Sequence, residues 1–590
     1  MSALLLLLVG LAWMLFGFPR LAAQTEPGGV DDPSAIRGAP IVLYTDITSG
    51  PNTGGENDKG AYLSIFGKNF GRDGLGTKVK VTLNGVEVDN YRYLGASHGR
   101  ADIQQITVQI GHRGDPRPGT PLPIAVSVNG VVSNADHTFV VNPGRILFVD
   151  NVRGDDASAA PDDISRPFRH VQLRDLSQGA YGQAQAGDVI VLRGRGQPWT
   201  DVGFERYFLR FRDKSGSEPR GQAGTGPIAV MGYPGEDVYI KAAYGTHDGG
   251  ISAINGQTYA GLGQWVSVSN LRIEGGGDDG AVNLQIHGNH WRVVNNELTA
   301  ETASTTAKAG GIAGNGLNVV LFGNHIHDVH GNGQENHGIY IDGNGSYDVA
   351  FNRIERIFGG NGFQIYVNGS NGSDVADNVN LHHNLIRGTN KHGINIADNA
   401  RGGIVISNNV VSDTRFSGLR FNSTLLRDCR VYNNTFYRTD LSGMPLYGAL
   451  TNDWTLGARA VDIENNIFVP SPGTPFAGGT VGFGGPIGVV LRNVWWRERW
   501  QVRDWRSVLA STLRRLRRSD PDDLDFDAAP IKTDPGFRLA GVDFRLRPES
   551  PAIDAGSSAV APVVQNDFDL ETRRPQGGGF DVGAYEFVVR

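Results

Sequence analysis

Two interlocked columns of residues constrain this chain more than any other feature. A pattern apolar-x-x-Asn-x-apolar recurs at Asn296, Asn324, Asn352, Asn384, Asn409, Asn434 and Asn466, with gaps of 28, 28, 32, 25, 25 and 32 residues. Between these falls a second pattern, x-Gly-apolar-x, at Gly311, Gly338, Gly362, Gly393, Gly418 and Gly448, with gaps of 27, 24, 31, 25 and 30. Two columns that share one uneven period mean one coil per repeat, with the length variation placed in loops. Runs such as Gly338-Ile-Tyr-Ile341 alternate with period 2, the period of strands rather than of helical repeats. One coil cannot bury its apolar side alone, so coils stack and share a core. The expected fold is therefore all-β, a parallel β-helix. The Asn column is expected to form an amide ladder between coils, and the Gly column to occupy places where a side chain does not fit.

Composition agrees and removes other classes. Gly is 82 of 590 residues, about twice the usual share, without the G-X-Y period of collagen. Apolar residues at 39% and charged residues at 19% exclude a disordered chain and a coiled coil. The net charge of −7 argues against nucleic acid as a partner. A single cysteine, Cys429, excludes an intrachain disulfide and a Cys₄ zinc site.

The N-terminus is nearly unbroken apolar sequence from Ala3 to Phe18, followed by Arg20 and then Leu21-Ala22-Ala23 before Gln24. It reads as a signal peptide over residues 1–23, although no Lys or Arg precedes the apolar run. The other reading is an uncleaved anchor, for which the run is short against the ~20 residues of a span. No later segment has an uninterrupted apolar run of that length. A secreted protein, extracellular or periplasmic in a bacterium, is expected, with no membrane association after signal removal.

Residues 24–38 form a polar linker. Residues 39–143 carry short alternating strands, among them Tyr62-Leu-Ser-Ile-Phe66 and Ile124-Ala-Val-Ser-Val128, with Asn84-Gly85 and Asn129-Gly130 turns between strands. That is the pattern of a small β-sandwich. The run Tyr62-Leu-Ser-Ile-Phe-Gly-Lys-Asn-Phe-Gly71 with the Asn-Gly hairpins resembles the IPT/TIG family of immunoglobulin-like domains, which implies a spacer or carbohydrate-side module. Having its own strands and no catalytic cluster, the sandwich is expected to be dispensable for turnover.

From residue 144 to 475 the repeats dominate. Phe148-Val-Asp150, Gly154-Asp-Asp156, Pro167-Phe168 and Ala186-Gly-Asp-Val-Ile-Val-Leu-Arg-Gly194 resemble the opening of pectate-lyase-like proteins, which implies a right-handed parallel β-helix. Residues 476–590 are expected to cap it. Asp504 to Arg518 has the apolar spacing of an amphipathic helix suited to cover the open end. Ser550-Pro-Ala-Ile-Asp-Ala-Gly556 and Phe580-Asp-Val-Gly-Ala-Tyr-Glu586 resemble the C-terminal segment of secreted bacterial proteins of the "choice-of-anchor" group.

Chemistry is expected on the outward strip of the Gly-column strands: Tyr340, then Gln364 and Tyr366, then Asn395, then Arg420, with His337 and His392 directly before their column glycines. Coils lie about 4.8 Å apart, so the strip suits a groove for several sugar units. Uronate polysaccharides cleaved by β-elimination need a neutralised carboxylate, a base for the C5 proton and an acid for the leaving oxygen. His337, Tyr340 and His392 are the candidate catalytic residues; Gln364, Tyr366, Asn395 and Arg420 are the candidate substrate contacts. Pectate-lyase-like resemblance makes Lys308 a competing base, and Asp278 and Asp279 could hold Ca²⁺. His325, His327 and His330 lack a zinc-type motif, and His327 aligns with Glu355 and Arg387 on later coils, so a surface charge ladder is the preferred reading there. Hydrolysis through Asp342 and Asp398 is the rival mechanism, and a non-catalytic surface or adhesion rod the rival class. The partner expected is a polysaccharide, bound by a monomer.

Overall fold

The computed structural model describes residues 38–588 apart from 114–118, 176, 212–224, 243–246, 248, 254–263, 276–281, 301–309, 332–335, 367–375, 399, 424, 444–446, 454–460, 473, 475, 479–489, 497–526 and 571–578. The expected signal peptide and the amphipathic stretch 504–518 lie outside the described residues. Among the described residues no helix is long and apolar enough to cross a membrane.

The repeats form a parallel β-solenoid whose coils have three sides, so that strands stack into three ladders. The first ladder runs from Tyr207–Arg210 through Phe363–Ile365, Ile394–Ala397 and Leu419–Asn422 to Ala477–Gly478. The second runs from Ile146–Val149 through Val189–Leu192 and Ile404–Ser407 to Val490–Leu491. The third runs from Tyr239–Ala242 through Glu297–Ala300 and His325–Val329 to Val494–Trp495. Strands Gly310–Phe322 and Ile339–Ala350 pass round the corner between the first two ladders without a break. Alternate residues point inward, and Ile339, Ile341, Phe363, Ile365, Ile394, Ile396, Leu419 and Phe421 are fully buried in one continuous core. Pairing continues past residue 475 as far as Trp495, so strands persist into the segment expected to be a cap.

The corner between the second and third ladders explains the Asn column. The Oδ1 of Asn352 accepts from both the backbone N–H of Asn324 at 2.9 Å and its side-chain amide at 3.0 Å, and the motif repeats from Asn296 to Asn493. The ladder ends on Asp527, an acceptor-only carboxylate that takes Asn493 Nδ2 at 3.0 Å and the indole N–H of Trp495 at 2.8 Å. The residue before each column Asn turns the corner in the left-handed region; Phe351 does so at φ 60 and His383 at φ 55. The Gly column marks close approach instead. A Cβ on Gly338 would stand 2.5 Å from Ile354 Cγ2 and 2.6 Å from the Gly362 carbonyl oxygen of the next coil.

Residues 41–141 form two mainly antiparallel sheets facing one another, an immunoglobulin-like sandwich. It is not a detached module. Its core continues into outward side chains of the second ladder, so that Ile65, Val81 and Val126 share one apolar cluster with Phe148, Val191 and Met231. Tyr44 stacks between Phe66 at 4.8 Å and Phe351 of the solenoid at 5.4 Å. The expectation of a separable spacer did not anticipate this shared core.

The C-terminal segment runs along the corner between the second and third ladders. Asn433 Nδ2 donates to the Asp581 carbonyl at 2.9 Å, and Asn465 Nδ2 to that of Ser557 at 2.9 Å. Phe537, Phe544 and Val582 pack on Tyr437, Ile467 and Val469. Arg100 of the sandwich lies over the Phe568 ring at 3.6 Å and donates to the His383 carbonyl at 3.3 Å, joining sandwich, solenoid and tail.

Candidate functional site

The outward side of the first ladder carries the expected strip in register. Tyr340 pairs with Gln364, Gln364 with Asn395, Asn395 with Arg420 and Arg420 with Thr451. Each inward neighbour is a fully buried apolar side chain, so the outward position of the row follows from strand alternation. At about 4.8 Å per coil, Tyr340 and Arg420 stand ~14 Å apart. Gln364 and Asn395 are nevertheless buried, at 8% and 5% exposure, while Tyr340, Tyr366 and Arg420 are half-buried.

The two histidines differ from the exposed groups expected of them. His337 and His392 are 2% and 4% exposed. Both belong to a ladder formed by the residue before each column glycine. His337 Nδ1 accepts from the Asn361 N–H at 2.9 Å, Asn361 Oδ1 from the His392 N–H at 2.9 Å, and His392 Nδ1 from the Ser417 N–H at 3.2 Å. Burial, reinforced by the Lys391 charge, pushes the His337 imidazole down to about 3. Burial, with Arg420 and Lys391, holds His392 well below its ordinary value. Both rings are therefore neutral near pH 7. With Nδ1 accepting, the proton belongs on Nε2. As held, each histidine offers a donor at Nε2. The Nε2 of His337 meets no acceptor among the described residues, and the ring lies edge-on to Tyr340 at 5.5 Å.

Asn361 was not singled out by sequence reasoning. Besides its ladder bonds it donates its amide to Gln364 Oε1, which also accepts from Asn395 Nδ2 at 3.1 Å. Asn395 Oδ1 has no partner among the described residues. The available signal was positional: Asn361-Gly362 repeats the offset of His337-Gly338 and His392-Gly393. Asp453 was missed as well. It takes Arg420 Nε at 2.6 Å, so the guanidinium arrives at the strip already ion-paired. Tyr447 stacks on Phe416 at 4.6 Å and meets His392 edge-on at 5.3 Å. Behind them Asp440 is wholly buried, its carboxyl pushed up to about 7 by burial.

Lys308, Asp278 and Asp279 lie outside the described residues, as does the Asp342 side chain. Asp398 follows Ala397, which pairs with Asn422, so it stands one place beyond the last registered pair. His330 stacks on Phe358 at 4.3 Å, apart from His325 and His327. His327, Glu355 and Arg387 do pair in register on successive coils. Clefts of about 350 and about 720 Å³ lie between the sandwich and the solenoid and not on the first ladder. Catalytic candidacy therefore rests on the side-chain row, because neither cleft gathers the groups of that row.

No family model and no curated protein matches the chain. Among solved structures it is similar to a tailspike protein variant of Escherichia coli bacteriophage HK620 in complex with a hexasaccharide, at 12% identity and TM-score 0.37, over 54% of this chain and 55% of that one. It is similar to XylC in complex with xylose at 9% identity and TM-score 0.38, over 75% of this chain and 98% of that one. It is also similar to the catalytic unit of a GH87 α-1,3-glucanase from Streptomyces thermodiastaticus at 12% identity and TM-score 0.36, over 78% and 88%. The chain thus spans about half the length of the tailspike it matches, and at these TM-scores the likenesses carry no argument about its activity.

Proposed function

We propose that the outward face of the first ladder binds an acidic polysaccharide along its row and cleaves it by β-elimination. The observation that carries this reading is the unbroken register Tyr340–Gln364–Asn395–Arg420, which sets a phenol, two amides and a guanidinium at one-coil intervals on a rigid support. Gln364 and Asn395, already joined through amides, present hydrogen-bonding groups to the uronate carboxylate. His337 and His392, neutral and protonated at Nε2, add donors that lower the charge building at that carboxylate as the C5 proton leaves. The phenolate form of Tyr340 takes that proton, the C4–O bond breaks as the C4=C5 bond forms, and the phenol so made gives the proton to the leaving oxygen and returns to phenolate. Tyr366 lies beside Tyr340 at 6.5 Å between ring centres and offers a sugar-stacking face. Arg420, steadied by Asp453, holds a neighbouring sugar.

The test is a panel of alginate, pectate and glycosaminoglycan chains offered to the purified full-length protein. New ultraviolet absorbance from an unsaturated uronate end supports elimination. New reducing ends without that absorbance would replace it with hydrolysis. Retardation in affinity gels without any cleavage would make the row a binding surface only.

A further inference from the structure

We propose that Glu297, His325 and His327, on the outer side of the third ladder, bind a divalent first-row transition ion of the zinc class. The sequence favours a charge ladder here, because neither histidine carries a zinc-type motif and His327 aligns with Glu355 and Arg387 on later coils. The added residue is Glu297, which pairs with His325 from the preceding coil. His325 and His327 flank the buried Ile326 and so share the outer side of one strand, with rings stacked at 4.0 Å. One ligand atom from each of the three residues lies within 4.8 Å of the others, and His327 Nε2 is 3.0 Å from Glu297 Oε1. Bonds of about 2.0–2.1 Å would be made by a slight inward adjustment of these side chains.

The surroundings are those of a supported site. His327 Nδ1 lies 2.7 Å from Asp328 Oδ2, and Arg356 grips that carboxylate at 2.6 Å. His325 Nε2 lies 3.3 Å from Glu355 Oε2, and Arg353 holds Glu355 at 2.6 Å. His327 thus turns Nδ1 to the anchored Asp328 and Nε2 to Glu297, the arrangement that fixes tautomer and ring orientation around bound metals. Two imidazoles and one carboxylate suit zinc and its neighbours, whereas calcium and magnesium ask for an all-oxygen shell. All three residues are half-buried. His98 of the sandwich brings Nδ1 to 3.8 Å from Glu297 Oε2, and both residues line the cleft of about 350 Å³ between sandwich and solenoid. The ion would sit at that junction.

The experiment strips full-length protein with a chelator and titrates zinc against a chromophoric competitor. One tight equivalent per chain is expected, lost in a His325→Ala/His327→Ala double variant, and cobalt in place of zinc should give visible ligand-field bands. Asp328→Asn should weaken binding by about 10–100-fold while keeping one equivalent. Glu297→Gln, nearly isosteric, should also lose the tight equivalent with an unchanged circular dichroism spectrum, so it carries the test should the double variant not fold. Equal zinc stoichiometry and affinity in wild type and Glu297→Gln would overturn the assignment and leave a charge ladder alone.

Discussion

The outer side of the second ladder in its first coils and that of the first ladder in later coils have opposite chemistry. On the second, the outward residues Val189, Val191, Ala229 and Met231 are apolar and lie under the sandwich. On the first, several coils further along, the outward positions are Tyr340, Gln364, Asn395 and Arg420. Inward residues are alike on both, because every coil must fill the same core. What an outer side displays therefore reports what covers it: protein over the first coils of the second ladder, and along the later coils of the first a polar surface suited to a hydrated ligand. That difference can be tested from each side.

The largest effect should come from uncovering the second ladder. A chain beginning near Pro143 would expose Ile146, Phe148, Val189, Val191, Ala229 and Met231, all buried in the whole protein. At about 1.5–3 kcal/mol for a large apolar side chain, four of these alone amount to at least ~6 kcal/mol, comparable with the net stability of a domain. Aggregation, seen by light scattering, is the expected outcome. A soluble truncated chain with an unchanged Tm would show that the sandwich is a spacer after all.

On the first ladder, Tyr340→Phe removes one oxygen from a half-buried position and leaves the core beneath untouched. If Tyr340 carries the proton, turnover on the preferred polyuronate should fall about 10²–10⁴-fold with Tm unchanged. Near-normal turnover would move the chemistry off this residue, and Lys308→Ala would be the next variant to assay.

These contrasts also explain what the sequence could and could not tell. Columns of one repeated letter, Asn384 after Asn352 or Gly393 after Gly362, are visible because every coil needs the same ladder bond or the same empty space. The ladder of His337, Asn361, His392 and Ser417 mixes three residue types and changes letter from each coil to the next. Any side chain that can accept one backbone N–H will serve there, so it does not look like a column. Burial of the histidines was hidden for the same reason. The sandwich interface had a signal that period-2 reasoning passes over: Val189-Ile-Val-Leu192 is apolar at every position, the mark of a strand covered on both sides, while Ile339-Tyr-Ile-Asp342 alternates. Tyr447 directly precedes the column glycine Gly448, and Asp453 directly follows the registered strand Leu450–Asn452, so both had a positional signal that columns of one repeated letter do not show.

A smaller, pH-dependent difference should separate the two sides. The unfolded His337 ring holds a proton below about 6.5, the folded one only below about 3. Between those values the unfolded state binds more protons, so stability is retained above pH ~6.5 and lost as pH falls through the window. At about 1.4 kcal/mol per unit, a loss of a few kcal/mol towards pH 4 is expected. His337→Asn keeps an acceptor for the Asn361 N–H, as Asn361 itself does for the next coil, and should flatten this part of the urea-denaturation profile. An unchanged acid slope in the variant would mean that His337 is not held neutral by the fold.

The smallest effect concerns Arg420. Its Nε is committed to Asp453, and its charge helps hold His392 neutral, so it lies beside the chemistry without being placed to move a proton. Replacing it with alanine should weaken binding of a neighbouring acidic sugar, by about tenfold in KM and ~1.4 kcal/mol, with kcat close to wild type. Arg420→Lys should recover only part of the loss, because a point charge cannot reproduce a planar fork held on a carboxylate. The same variant also removes the guanidinium from Asp453, so Arg420→Ala/Asp453→Asn is the informative control. If the double variant regains wild-type KM, the single variant suffered from a carboxylate no longer masked by Arg420 and repelling the polyanion, and Arg420 contributes by masking Asp453. If KM stays raised, the guanidinium itself meets the sugar, and the binding surface extends three coils from Tyr340 along the open side.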